Sequence, residues 1–176
     1  TEVEWRGGGA ATYSAWFAAV ARAKDHLHLE YDIFNPDHAG TALRDALTGR
    51  AAAGVRVCLL LDAVGSSSLR KRFLQPLLDA GAEVVWFHPR QLLKPFKRPW
   101  LNLRTHRKLI IIDGLQAFTG GINITDEEDE SVRADAYRDL HMRLRGHVVR
   151  SLQLVFIEDW IYATGPEPAR FNIAQP

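Results

Sequence analysis

An apolar segment interrupted by Asp113-Gly114 most restricts how this chain can fold. Residues 108–112 read Lys-Leu-Ile-Ile-Ile before the interruption, and residues 115–119 resume the apolar sequence after it. Asp-Gly is a preferred pair for a two-residue turn between antiparallel strands. The sequence therefore predicts a β-hairpin in which Ile112 pairs with Leu115 and, counting back, Lys108 pairs with Thr119.

One face of this hairpin is predicted to carry polar groups suited to a phosphate. The same register places His106 opposite Gly121 and Arg104 opposite Asn123, and cross-strand partners share a face. His106 and Lys108 lie on that face about 6–7 Å apart, since side chains alternate along a strand. Lysine and asparagine can donate hydrogen bonds to phosphate oxygens, which leaves His106 as the nucleophile.

Asp113 has a different predicted place. It is five residues after Lys108, so strand alternation places its side chain on the opposite face, about 15 Å further along the strand. It therefore cannot contact the same phosphate. We interpret Asp113 as a turn residue.

The order His106-x-Lys108-x4-Asp113, followed by Gly120-Gly121-x-Asn123, resembles the HxKxxxxD signature of the phospholipase D superfamily. Within that superfamily the surrounding sequence is similar to the first half of a bacterial cardiolipin synthase over most of residues 10–165. The supporting segments are Glu30–Phe34, Gly54–Val57, Leu61–Ser66, Asn102–Lys108, Arg138–His141 and Phe156–Trp160. Two departures stand out. This sequence has no second copy of the motif, and an acidic run replaces the more aromatic sequence expected after the asparagine.

The resemblance implies a two-step displacement at a phosphodiester. His106 would attack phosphorus to give a phosphohistidine, and a second histidine would protonate the leaving alcohol. Lys108 and Asn123, with their counterparts from a second half-site, would hold the phosphate oxygens. Gly120 and Gly121 belong to the supporting motif, and the resemblance implies neither a metal nor another cofactor. The same chemistry leaves open whether His106 attacks or acts as the acid.

The resemblance also assigns Asp139 a role. Family members carry a carboxylate here that hydrogen-bonds the nucleophilic imidazole and fixes its tautomer. The alternative is that Asp139 is a solvated strand residue. His141 is two residues after Asp139, so strand alternation places its side chain on the same face as that of Asp139. It is a weaker candidate for the site, because a lone strand histidine is more often packed or solvated.

The net charge of +1 conceals a strong asymmetry along the chain. Between Arg70 and Lys108 there are ten lysines and arginines and two acids, whereas residues 126–139 contain seven acids and two arginines. A basic segment before the site would attract phosphate-bearing substrates. The predicted substrate approach consists of Lys94, Lys97, Arg98 and Arg104.

Residues 92–100 mix cations, large apolar groups and two prolines, which leaves three interpretations of this loop. One is contact with an anionic membrane surface. Another is a groove for single-stranded nucleic acid, a less favoured ligand. The third is an ordinary surface loop.

Three functions are consistent with this sequence. The first is phosphatidyl transfer of the cardiolipin synthase type, with a phospholipid substrate such as phosphatidylglycerol and a position at the cytoplasmic side of a bacterial cell membrane. The second is a homodimeric nuclease or phosphodiesterase, in which two copies of His106 face each other. The third is an inactive half that only binds anionic lipid. Both active forms need a second half-site, from another copy or from a longer chain of which this would be an excised piece.

The 176 residues suit one domain, with a core at about residues 10–165 and a tail at 166–176. Strands and helices alternate, which predicts an α-β-α sandwich with a mixed, mostly parallel central sheet, as in one half of a phospholipase D. The predicted strands are 26–34, 55–61, 83–87, the hairpin and 137–144, and the predicted helices are 12–24, 39–53, 69–80 and 147–163, the first capped by Thr12.

Two further predictions concern residues outside the phosphate site. Cys58 is the only cysteine, so no disulfide forms within the chain, and its place in an apolar run predicts a buried thiol. His26 and His28 alternate on one strand and could bind metal, but no third ligand accompanies them, so packing is the favoured interpretation. No apolar stretch is long enough to span a bilayer, and no signal-like segment is apparent.

Overall fold

A seven-stranded mixed sheet organises residues 1–87 and 105–165, which are the residues that the computed structural model describes. In chain order its strands are β1 Glu2–Gly7, β2 His26–Tyr31, β3 Arg56–Asp62, β4 Glu83–Phe87, β5 Lys108–Ile112, β6 Gln116–Gly120 and β7 Leu140–Arg145. The spatial order is β1-β7-β6-β5-β2-β3-β4. Strands β2, β3 and β4 pair in parallel, and the other pairs in this described sheet are antiparallel.

Helices cover both faces of the sheet. They are α1 Gly9–Val20, α2 His38–Ala52, α3 Lys71–Asp79 and α4 His147–Thr164. The first three pack on one face through residues such as Trp16, Leu47 and Leu77, and α4 packs on the other through residues such as Phe156 and Trp160. Burial of the apolar sides of both layers stabilises the fold, and the predicted α-β-α sandwich with a mixed sheet is confirmed. The prediction that the sheet is mostly parallel was wrong for the described strands, because the hairpin and the pairing of β1 with β7 make four of the six strand pairs antiparallel.

The central strands contribute to both cores because they are covered on both faces. Ile110 and Ile112 of β5 pack beneath α1, α2 and α3, whereas Leu109 and Ile111 pack beneath α4. This explains why the sequence of β5 is continuously apolar rather than alternating.

Strand β1 was not predicted from the sequence. It pairs antiparallel with β7, from Glu2 opposite Arg145 to Gly7 opposite Leu140. It is an edge strand with Val3 and Trp5 exposed, so its pattern lacks the buried apolar face that identifies a strand. The neighbouring strand β7 begins at Leu140, whereas the sequence had predicted a start at residue 137.

Helix α1 begins at Gly9, so the prediction that Thr12 caps it was wrong. Thr12 lies inside the helix, where its hydroxyl donates a hydrogen bond to the Gly8 carbonyl. The carboxylate of Glu130 accepts hydrogen bonds from the N–H groups of Gly9 and Ala10 instead. A carboxylate is favourable at a helix N-terminus, but one so distant in sequence is invisible to local capping rules.

The hairpin is confirmed, but its predicted register was wrong by one residue. Ile112 pairs with Gln116, and Leu109 pairs with Thr119. Asp113 and Gly114 have φ values of 54° and 65°, as a tight primed turn requires. Leu115 is therefore an additional residue between the paired positions, and Lys108 lies on the opposite face to Thr119.

Asp113 fixes the turn of this hairpin to the start of β2. Its carboxylate accepts hydrogen bonds from the N–H groups of Lys24, Asp25 and His26, at 2.9–3.2 Å. The backbone N–H of Asp113 donates in return to the His26 carbonyl, at 2.9 Å. The prediction that Asp113 is a turn residue is confirmed, and these contacts give its side chain a structural role.

Substitution of Asp113 is expected to lower stability without altering the site. Asp113→Ala removes the acceptor of three N–H groups and places alanine at positive φ, so we expect a loss of about 2 kcal/mol in the free energy of unfolding. Urea denaturation measures this change. Asp113→Asn keeps an acceptor and tolerates positive φ, so its loss should be smaller. An equal loss in both variants would contradict the hydrogen-bonding role.

The two strand histidines and the cysteine are packed in the interior. His26 contacts the side chains of Asp25 and Gln153, and His28 stacks on Phe156 with 4.8 Å between ring centroids. Burial lowers the pKa of His28 to about 2. Cys58 is a buried free thiol, as predicted. Within residues 1–87 and 105–165, no helix combines the length and apolar character needed to cross a membrane.

Candidate active site

A cleft of about 420 Å³ opens where the start of β5 meets the loop after β6 and the segment before β7. Its lining contains the predicted motif residues together with further polar groups: His106, Lys108, Gly120, Gly121, Asn123, Glu128, Tyr137, Arg138 and Asp139. Asp113 is at the opposite end of β5 and is not among them. The structure thus brings imidazole, ammonium and carboxamide groups to one cavity.

His106 is the most accessible of these groups. Its side chain is 85% exposed, and its Nε2 lies 3.4 Å from Oδ2 of Asp32. Asp32 is buried and directly follows β2. Because Tyr31 pairs with Lys108, the register of β2 against β5 brings Asp32 beside the residues that precede β5. This carboxylate can accept a proton or hydrogen bond from the ring.

Asp32 was not predicted as a site residue. Its position after an apolar strand was visible in the sequence, but the antiparallel pairing of β2 with the distant β5 was not. Asp139, the residue predicted to orient the imidazole, lines the same cleft. Its carboxylate accepts a hydrogen bond from the Leu140 N–H at 2.6 Å. The orienting role of Asp139 stays a prediction.

Lys108 lies beneath His106 with its side chain 4% exposed. Its Nζ donates to the His106 carbonyl at 3.1 Å and lies 3.7 Å from Oδ2 of Asp32. Burial lowers the pKa of Lys108, and the negative charges of Asp32 and Glu128 oppose that shift. The ammonium is therefore held in place by the protein and balanced by carboxylates.

Asn123 is held by a buried carboxylate that the sequence analysis did not identify as part of the site. Glu128 accepts a hydrogen bond from the Asn123 side chain, Nδ2 to Oε1, at 2.9 Å, and another from the Asn123 backbone N–H at 3.1 Å. On the other side, Tyr13 donates its hydroxyl to the Asn123 carbonyl at 2.8 Å. The pKa of Glu128 lies above its ordinary value, because the effect of burial exceeds the opposing effect of the hydrogen bonds with Asn123.

The two glycines of the motif allow close approach to β7. Gly120 has φ +151°, and a Cβ built there would lie 2.4 Å from the Leu140 carbonyl oxygen. A Cβ on Gly121 would lie 2.0 Å from the Asp139 carboxylate. Any side chain at these positions would therefore displace β7 or Asp139 and alter the wall of the cleft.

His141 is a core residue and does not line the cleft. It is fully buried, and its ring meets Trp16 edge to face, with 5.2 Å between centroids. Burial lowers its pKa to about 4, so the ring is neutral near pH 7. The interpretation of His141 as a packed strand histidine is confirmed.

Both chain neighbours of His106 are attached to a buried carboxyl group on the α4 side of the sheet. The Thr105 hydroxyl donates to Glu30, and the Arg107 guanidinium lies 3.6 Å from Glu30 and contacts Asp159 of α4. Burial raises the pKa of Glu30 to about 7. These contacts fix the backbone on either side of His106 while its ring stays open to the cleft.

The predicted substrate approach lies outside the described residues. Lys94, Lys97, Arg98 and Arg104 all belong to residues 88–104, so their roles stay predictions. Of the remaining cleft residues, Tyr137 and Arg138 had no predicted role in catalysis.

Sequence comparison identifies the proteins that this chain resembles. The family described as "Cardiolipin synthase, PLD-like domain" matches residues 17–133. Cardiolipin synthase 1 of Bacillus cereus is 42% identical over 157 residues, which cover 89% of this chain and 30% of that protein. The chain therefore spans about a third of the length of the curated relatives it matches.

Two solved structures show the same fold at low sequence identity. Phosphatidylserine synthase of Haemophilus influenzae superposes with a TM-score of 0.67 and 16% identity, covering 90% of this chain and 36% of that one. Nuc of Salmonella typhimurium, a phospholipase D family member, gives 0.63 and 18%, covering 90% and 95%. At these identities the likeness concerns the fold alone.

Proposed function

Because the chain belongs to the family of cardiolipin synthase phospholipase D-like domains, we propose that it supplies one catalytic half of an enzyme that transfers phosphatidyl groups between alcohols. The observation that carries this proposal is the shared cleft of His106, Lys108 and Asn123, in which an exposed imidazole lies beside a buried ammonium. The relatives are named cardiolipin synthases, which supports a phospholipid substrate. We propose phosphatidylglycerol as that substrate, and we expect the enzyme to work at the cytoplasmic surface of a bacterial membrane.

In the proposed first step, a ring nitrogen of His106 forms a bond to phosphorus and the bond from phosphorus to the leaving alcohol oxygen breaks. An acid on the far side of phosphorus donates a proton to that oxygen. In the second step the acceptor alcohol gives up its proton to the same group and attacks phosphorus, and the phosphorus–nitrogen bond breaks. The phosphodiester is thereby restored with a new alcohol.

Lys108 and Asn123 would stabilise the charge that builds on the non-bridging oxygens. The Lys108 ammonium is held by the His106 carbonyl and Asp32, and Asn123 by Glu128 and Tyr13. Donors fixed in this way need little reorganisation during the reaction. Asp32, whose Oδ2 lies 3.4 Å from Nε2 of His106, would orient the ring and stabilise the positive charge that the ring gains when it bonds to phosphorus.

The far-side acid must come from a second half-site, because one imidazole cannot act on both sides of phosphorus. A second copy of this chain or another segment of a longer protein would supply it. In a homodimer two identical sites would face each other across a two-fold axis. The openness of His106 to solvent supports a site that a partner completes.

A direct test compares lipid transfer with cleavage of single-stranded DNA by the same preparation. We expect phosphatidyl transfer from phosphatidylglycerol in vesicles, and activity per molecule that rises with protein concentration if copies share a site. Selective DNA cleavage would instead favour the nuclease alternative. Lipid binding without turnover, even with the matching half supplied, would leave only a binding role.

A further inference from the structure

Glu128 is an unexpected group to find at a phosphate site. It lines the cleft with His106 and Lys108 and is 8% exposed. It belongs to the acidic run that departs from the aromatic sequence expected after Asn123. Its carboxylate also contacts the amide group that is proposed to hold the substrate, at 2.9 Å from Nδ2.

The hydrogen bonds of Glu128 favour an ionised carboxylate. Both of its oxygens accept from Asn123, one from the side chain and one from the backbone N–H. An amide nitrogen has two hydrogens, so Asn123 keeps one for a phosphate oxygen while the other binds Glu128. A phosphate held there would lie one amide group away from a fixed negative charge. Solvent screens this buried charge less than it screens the exposed Asp139.

We propose that Glu128 is a specificity-determining residue that makes the cleft favour phosphodiesters, which carry one negative charge, over phosphomonoesters, which carry two. This inference rests on the proposed function of the same cleft. Repulsion from a fixed carboxylate is twice as large for a dianion as for a monoanion. Monoesters are dianionic well above pH 6, because their second pKa is about 6. By the same reasoning Lys108 attracts the dianion more strongly, and Glu128 opposes that preference.

The test measures binding of bis(p-nitrophenyl) phosphate and p-nitrophenyl phosphate at about pH 8, by calorimetry, to the protein and to Glu128→Gln. Loss of the Glu128 charge should change the binding energy of the dianionic monoester twice as much as that of the monoanionic diester. Because affinity depends exponentially on energy, a threefold gain in affinity for the diester in Glu128→Gln should accompany about a tenfold gain for the monoester. Glu128→Asp keeps the charge and should keep the preference. Glu127→Gln removes a neighbouring charge that does not line the cleft and should change neither affinity.

Equal gains for both ligands in Glu128→Gln, or no gain for either, would overturn the inference. Thermal melts establish that each variant is folded, and Glu128→Met is the second charge-removing variant if Glu128→Gln is unstable. Failure of the unaltered protein to transfer phosphatidyl groups, with the matching half present, would instead contradict the proposed function. The binding measurement does not depend on turnover, so the two failures are distinguishable.

Discussion

Replacing His106 with alanine is expected to lower kcat by at least about 10⁴-fold, because the variant lacks the proposed nucleophile. The effect on folding should be small, since the side chain is 85% exposed. Loss of activity would therefore report chemistry rather than structure. Binding of phosphodiester to the variant should persist through Lys108 and Asn123.

The covalent adduct can be trapped by quenching the enzyme during reaction with substrate. Mass spectrometry then identifies the residue that carries the adduct, and acid treatment shows whether the adduct is acid-labile. We expect an acid-labile adduct of one phosphatidyl group on His106, absent from His106→Ala. His147→Ala is a matched control, because His147 is exposed at the start of α4 on the other side of the sheet. An adduct on another residue, or residual activity near that of the unaltered protein, would contradict the role of His106 as nucleophile.

Replacing Lys108 with methionine is expected to lower kcat by about 10²–10³-fold. The methylene chain keeps much of the packing, but the positive charge that faces the non-bridging oxygens is lost. The cleft would then contain the carboxylates of Asp32 and Glu128 without the ammonium that offsets them. KM should rise as well, because an anionic substrate would meet a more negative site.

The alkaline side of the pH profile offers an independent check on Lys108. Burial lowers its pKa below the ordinary value of 10.5, so the ammonium loses its proton at a lower pH than a solvated lysine does. Activity that needs this charge falls as pH rises through the lowered pKa, and Lys108→Met should lack that fall. Lys24→Met alters an exposed lysine near the turn end of β5 and serves as the control. A profile unchanged by Lys108→Met would contradict the electrostatic role.

The sequence was sufficient to predict the chemistry at the cleft because the motif is local. His106 and Lys108 share a face by strand alternation, whereas Asn123 reaches the same cleft from the loop that follows β6, which ends at Gly120. The register error shows the limit of this reasoning. Leu115 adds one residue after a correctly identified turn, and a shift of one residue transfers Thr119 to the opposite face of the sheet.

Residues that depend on distant pairing could not be predicted in the same way. Asp32 approaches His106 only because β2 pairs with β5, which begins 76 residues after Asp32. Glu128 was recognised as part of an acidic run, which in isolation suggests a solvated surface. In the fold this run turns inward, where Asp126 accepts hydrogen bonds from the first turn of α2 and Glu130 from that of α1.

The pairing of β1 with β7 has a consequence for the order in which this protein forms on the ribosome. Glu2 of β1 pairs with Arg145 of β7, so β1 can join the sheet only after more than a hundred further residues have been synthesised. At cellular rates of synthesis this delay is on the order of ten seconds. During translation the Trp5 segment therefore stays unpaired until β7 has been made, and chaperones or neighbouring chains can reach it during that interval.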